Sequence, residues 1–184
     1  MLKLLHEVGR SVAVLHDETL LFVYRYGAGW PKPHFHPLYA PSSTRVLTLH
    51  APRDYVHHRG LMWSFGRVAP QQRPDEWVNF WEERERERDE DGQISWPRPL
   101  PDERRGTIRH TRFETLEPGR ERAIIVSDHE WRRASDEKVL LHQRQTVTAH
   151  PIADNGWSFD LQWELCAADE PMLLFARSEE ENQE

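Results

Sequence analysis

The chain has 184 residues, 38% hydrophobic and 30% charged, with a formal net charge of -7 and a single cysteine. That length sets a prior of one domain with a sizeable core, while the negative balance argues against a general nucleic-acid binder. No apolar run approaches the ~20 residues of a membrane span, and one thiol excludes an internal disulfide framework or a multi-cysteine zinc site.

Residues 1–7 are too short and too quickly charged for a secretory signal, which leaves a cytoplasmic location as the default expectation. Alternating apolar and polar residues then mark strands along most of the chain. Residues 11–16 and 20–26 flank Asp17-Glu18-Thr19 and read as a hairpin. Residues 45–50 alternate cleanly, and 61–65 form a short apolar run between Gly60 and Gly66 that reads as a core strand. The segment 75–90 is the best helix candidate, with Trp77, Phe80 and Trp81 at helical spacing. Its second half, 82–91, is a mixed-charge run that reads as a solvated helix or loop. Residues 92–106 carry Gly92, Pro97, Pro99, Pro101 and Gly106 and read as a long irregular excursion.

Strands resume at 107–116, where strict alternation places Ile108, His110, Arg112 and Glu114 on one face and Thr107, Arg109, Thr111 and Phe113 on the other. Residues 121–126, 139–149, 157–167 and 172–176 complete nine or ten strands. Cys166 reads as a small buried hydrophobe. The pattern predicts an all-β, mostly antiparallel β-sandwich over residues 1–177, followed by an acidic tail at 178–184 expected to be solvated and disordered. If strands are missing after 172–176, that segment is an exposed edge able to pair with a second copy, giving a homo-oligomer.

Candidate chemistry concentrates early. Five of the eleven histidines fall within 25 residues: His34, His36, His50, His57 and His58. Pro37 favours an extended backbone at His36, so His34 and His36 share a face and suit either one metal or one substrate. In Asp54-Tyr55-Val56-His57-His58-Arg59-Gly60 the adjacent histidines reach one site only if the chain turns, which Gly60 permits. Arg59 adds a planar, permanently charged donor, or else pairs with Asp54. Asn79-Phe80-Trp81-Glu82 reads either as a wall whose Trp face stacks on sugar C–H groups or as a core-facing aromatic stripe with Asn79 in a turn. No Gly-rich phosphate loop, nucleophile elbow or His-Glu-x-x-His helix is present.

These clusters, in this order, resemble a known family. The stretch Lys32-Pro33-His34-Phe35-His36-Pro37-Leu38-Tyr39-Ala40-Pro41-Ser42 is similar to its opening motif. His57-His58-Arg59-Gly60-Leu61-Met62-Trp63-Ser64-Phe65-Gly66 is similar to its centre, and Val78-Asn79-Phe80-Trp81-Glu82 follows in register. The family is the bacterial PmoA-like family, often labelled methane oxygenase PmoA and of unknown function. The likeness spans residues 30–170. It departs at Asp54-Tyr55-Val56, where Asp-His-Pro is usual, and at Ala69-Pro70-Gln71-Gln72, where a Gly-rich turn is common. Family members run on for roughly another hundred residues, so the chain is expected to be a trimmed or partial family domain. The resemblance implies a sandwich like that of galactose mutarotase and aldose epimerases, and a place in sugar catabolism.

The leading expectation is a carbohydrate-active or carbohydrate-binding protein. His57 or His58 acts as acid/base, and His36, Arg59, Asn79, Trp81 and Glu82 hold a small-molecule ligand, with no cofactor. General acid–base ring opening needs a second group, which Glu82 fills only weakly. The alternative is a mononuclear metal enzyme, an oxygenase by type, holding Fe or Zn on His34, His36, His57 and Asp54, with His58 able to replace His57. A third reading is a non-catalytic partner module.

Overall fold

The computed structural model describes residues 1–41, 43–152 and 156–175. The tail expected at 178–184 and the last residue of the run 172–176 lie outside them. Among the described residues twelve strands form and no helix.

Leu2–Glu7 (β1), Ser11–His16 (β2), Thr19–Arg25 (β3) and His34–Leu38 (β4) make an antiparallel meander in chain order. Next come Arg67–Pro70 (β5) and a hairpin of two-residue strands, Glu87–Arg88 (β6) and Ile94–Ser95 (β7). Gly106–Glu117 (β8), Ala123–Arg133 (β9), Val139–Ile152 (β10) and Gly156–Ala167 (β11) form the second antiparallel meander. Met172–Phe175 (β12) returns to pair with β5.

Strand length dictates how the two sheets meet. At ~3.4 Å per residue, β9 and β10 run roughly 37–48 Å, whereas β1 to β4 run only about 17–24 Å. The short sheet therefore covers half of the long one. There Leu2, Val12, Val14, Phe22, Tyr24 and Phe35 pack against Ala123, Ile125, Val147 and Ala149. The uncovered half is closed by the excursion between the sheets, whose Val68, Val78 and Phe80 bury Ile108, Trp131, Leu140 and Leu141. Burying each large apolar side chain contributes about 1.5–3 kcal/mol. At the seam the interior is polar: the Tyr24 hydroxyl lies 2.7 Å from His129 Nε2, and Trp131 Nε1 donates to Gln143 Oε1 over 2.7 Å.

Several expectations are corrected. The segment 75–90 is not a helix. Arg73, Pro74 and their neighbours turn instead, Val78 pairs with Val68, and the charged run binds across to the following segment, Arg84 donating to the carbonyls of Trp96 and Pro97. Residues 45–50 and 61–65 make only single bridges, at Val46, His50 and Leu61, and Leu61 is exposed. Cys166 is exposed, because β11 is an edge strand and Cys166 lies on its outer face. The run at 172–176 is half covered: Met172–Phe175 pairs with β5 along one edge, and its other edge has no strand beside it among the described residues.

Strict alternation also misassigns β8. One extra residue intrudes between His110 and Arg112 and another between Phe113 and Thr115. The residues opposite the buried faces of Trp131, His129, Ser127 and Ile125 are thus Ile108, His110, Phe113 and Leu116. Each β-bulge shifts the phase by one, which turns Arg112 and Glu114 outward to salt bridges on the open face.

Candidate functional site

The candidate site grows from the outer face of β3 and β4. Phe35 points into the core, so His34 and His36 project together on the opposite side. Arg25 of β3 is the cross-strand partner of His34. His34 Nδ1 donates to the Lys32 carbonyl over 3.1 Å, leaving Nε2 buried and without a partner. His36 Nδ1 lies 2.9 Å from Thr48 Oγ1.

A loop spanning 45–61 folds over this face and is pinned by bridges Tyr39–Val46, His50–Arg59 and Phe35–Leu61. The second bridge carries His50 between His34 and His36, with ring centroids 5.4 and 5.1 Å away. The Trp30 ring meets His34 and His50 edge-on at 5.2 Å each. Two successive turns at 52–58 bring the adjacent histidines together, their centroids 4.5 Å apart at 86°. His58 stacks on Tyr55 at 4.9 Å, while His57 is driven inward against Trp96 and Trp81.

Gly60 makes this loop possible. Its φ is +86°, and a Cβ there would sit 2.3 Å from the Phe35 carbonyl oxygen. Gly60→Ala adds left-handed strain to a backbone clash, and we expect it to cost about 3 kcal/mol. For a domain of this size that is roughly 6–12 °C in Tm. A thermal midpoint within 2 °C of wild type would contradict the tight seating of the loop on β4.

Asn79, 4% exposed, shapes the facing wall. Its Oδ1 accepts the backbone N–H groups of Trp81 and Glu82, both at 2.8 Å, and its Nδ2 donates to Glu82 Oε2 over 3.1 Å. This is an Asx turn, so Asn79 positions Trp81, and Glu82 is engaged as its partner. Between the two histidine groups runs an ion network. Arg59 binds Glu83 with two nitrogens, at 3.2 and 2.5 Å, and Lys32 Nζ lies 3.7 Å from the same carboxylate while donating to the Trp81 carbonyl over 2.5 Å. Arg59 therefore pairs with Glu83 and not with Asp54, and its guanidinium lies 5.6 Å from the Trp30 ring.

Electrostatically the site is a set of neutral imidazoles around a few fixed charges. Burial pushes His34 and His57 down to about 3, and it lowers His36, His50 and His58 as well. Burial brings Lys32 down to about 8 against the upward pull of Glu83.

The structure thus gathers two groups, Trp30 with His34, His50 and His36, and Trp81 with His57 and His58, joined through Arg59, Glu83 and Lys32. Asn79 and Glu82 support the second group. The metal set fits less well: His34 has Trp30 and His50 as ring neighbours, His57 has Tyr55, His58, Trp81 and Trp96, and Asp54 is exposed. Among the described residues no three His, Cys, Asp or Glu side chains are placed to hold one ion. Sequence reasoning gave no role to Trp30, Lys32, Arg25 or Glu83. Lys32 and Trp30 border the Pro33-His34 motif, which was a usable signal, whereas Glu83 was hidden in a charge run.

Among the described residues no helix is long and apolar enough to cross a membrane. No curated protein and no solved structure matches the chain. A family model does match, over residues 11–180, which include every residue of the site and both sheets but for β1: the chain belongs to the family of unknown function DUF6807.

Proposed function

We propose that this site binds a carbohydrate. The observation that carries the reading is the arrangement of two half-buried tryptophans, Trp30 and Trp81, each bordered by imidazoles and joined by the Lys32–Glu83–Arg59 network. Indole faces suit sugar C–H groups, and the polar groups between them suit hydroxyls. The likeness of residues 57–66 and 78–82 to PmoA-like proteins supports the same reading. A galactose-mutarotase-like lineage and a cytoplasmic location belong to this proposal.

Proton transfer to a bound sugar falls to His58, because His57 is only 2% exposed. Burial and Lys32 hold His58 below the ordinary imidazole range, so it is neutral near pH 7 and accepts a proton. The test is titration of the whole chain with a panel of neutral and acidic monosaccharides, followed by ligand-observed NMR and tryptophan fluorescence. We expect saturable binding that Trp81→Ala weakens about tenfold, or ~1.4 kcal/mol. Absence of saturable binding across the panel would overturn the reading.

A further inference from the structure

We propose that the ligand of this site is an anionic sugar, whose oxyanion is held by Arg25. The inference rests on the carbohydrate reading and narrows it. Three cations, Arg25, Lys32 and Arg59, cluster here, and Glu83 is shared by two of them. Glu82 accepts from Asn79 Nδ2 and also acts on Lys32 with its charge, so three cations face two acids and one positive charge is in excess. The chain as a whole carries -7, so the positive excess at this face is a local construction that attracts an anion.

Within the cluster Arg25 is the cation left over. Its Nε donates to the His36 carbonyl over 2.7 Å, and its guanidinium carbon lies 5.9 Å from the centre of the Trp30 ring. That hydrogen bond fixes the plane of the fork and leaves both terminal nitrogens, Nη1 and Nη2, without an acidic partner among the described residues. A planar guanidinium fixed in this way matches a carboxylate or a phosphate.

The groups beside it ask for hydroxyls. Because His34 Nδ1 donates to a carbonyl, its Nε2 is an acceptor, and it is buried with no partner. His50 Nε2 is likewise buried and unpartnered, and His36 has one nitrogen engaged by Thr48. A ligand carrying an oxyanion next to hydroxyl donors satisfies Arg25 and His36 together, with the Trp30 face alongside. Sugar acids and sugar phosphates have that composition, and simple neutral sugars do not.

The experiment compares D-glucose, D-glucuronate and glucose 6-phosphate by calorimetry on the full chain, with the wild type, Arg25→Gln and Arg25→Lys. We expect at least one acidic sugar to bind ten times more tightly than glucose, the better of the two identifying the oxyanion. In Arg25→Gln that preference should fall to within about threefold, and Arg25→Lys should keep part of it. Unchanged urea midpoints show that the variants are folded. Equal affinity for all three sugars, or a preference that survives Arg25→Gln, overturns this inference and leaves the carbohydrate reading standing. Binding of none of the three by wild type counts against that reading itself, and the inference falls with it.

Discussion

Lowering the pH from about 7 to about 5 should sharply reduce the urea concentration needed to unfold this protein. His34, His57 and His129 are 0%, 2% and 1% exposed, and burial holds all three near 3. His110, pushed down to about 4 by burial, adds to them. An unfolded imidazole titrates near 6.5, so between there and about 3 the unfolded chain binds more protons than the folded one. Stability is then complete above about pH 6.5 and is lost progressively as the pH falls. Each such group costs about 1.4 kcal/mol per pH unit well inside the window, or about 4 kcal/mol for three. Against a total of about 5–15 kcal/mol, the fold should fail near pH 4–5. With His110 also contributing above pH 4, His129→Gln should reduce the slope by roughly a quarter. A urea midpoint independent of pH across this range would show that these imidazoles are not held neutral.

A second large effect is expected at Glu83. This carboxylate is 16% exposed and is the shared counter-charge of Arg59, 15% exposed, and Lys32, 2% exposed. At an effective dielectric of 20, a contact near 4 Å is worth about 4 kcal/mol. Removing one partner of a buried network leaves an uncompensated charge and costs about 3–5 kcal/mol. Glu83→Gln should therefore lower the unfolding free energy by that amount. Adding Lys32→Met in the same chain should restore part of it, because the methionine fills a similar volume without needing a counter-charge, while Arg59 stays unpaired. Urea melts of the two single variants and the double variant check this. Additive losses, with no recovery in the double variant, would mean that Lys32 and Glu83 are not coupled.

What the sequence makes legible follows from the range over which each signal acts. Past the irregularity at Leu140, residues 141–149 alternate without interruption because β10 lies between β9 and β11 with one face on the core, so its period is plain. The density of His, Arg and Trp between residues 30 and 81 marks the site for the same reason: the groups are close in the chain. Arg25 is invisible at that level, since its tie to His34 is a cross-strand register contact. Glu83 meets Arg59 across 24 residues of irregular chain, and no local pattern encodes that pairing. The excursion from 61 to 100 deceives most, because Trp77, Phe80 and Trp81 carry helical spacing although each has a separate role. Phe80 enters the core, Trp81 faces the histidines, and Trp77 lies between the guanidiniums of Arg67 and Arg104.

The two bulges of β8 have a consequence for how chain length can vary. In a regular strand, losing one residue turns every later side chain to the wrong face. At Thr111 and Glu114 the extra residue has no opposite number on β9, so the ladder closes without it and Phe113 and Leu116 still face inward. These are two places in the long sheet where homologous chains can differ by one residue and keep the same interior. A gap in an alignment at either position therefore carries no change of register, whereas a gap at Gln143 or Ser127 reverses the strand.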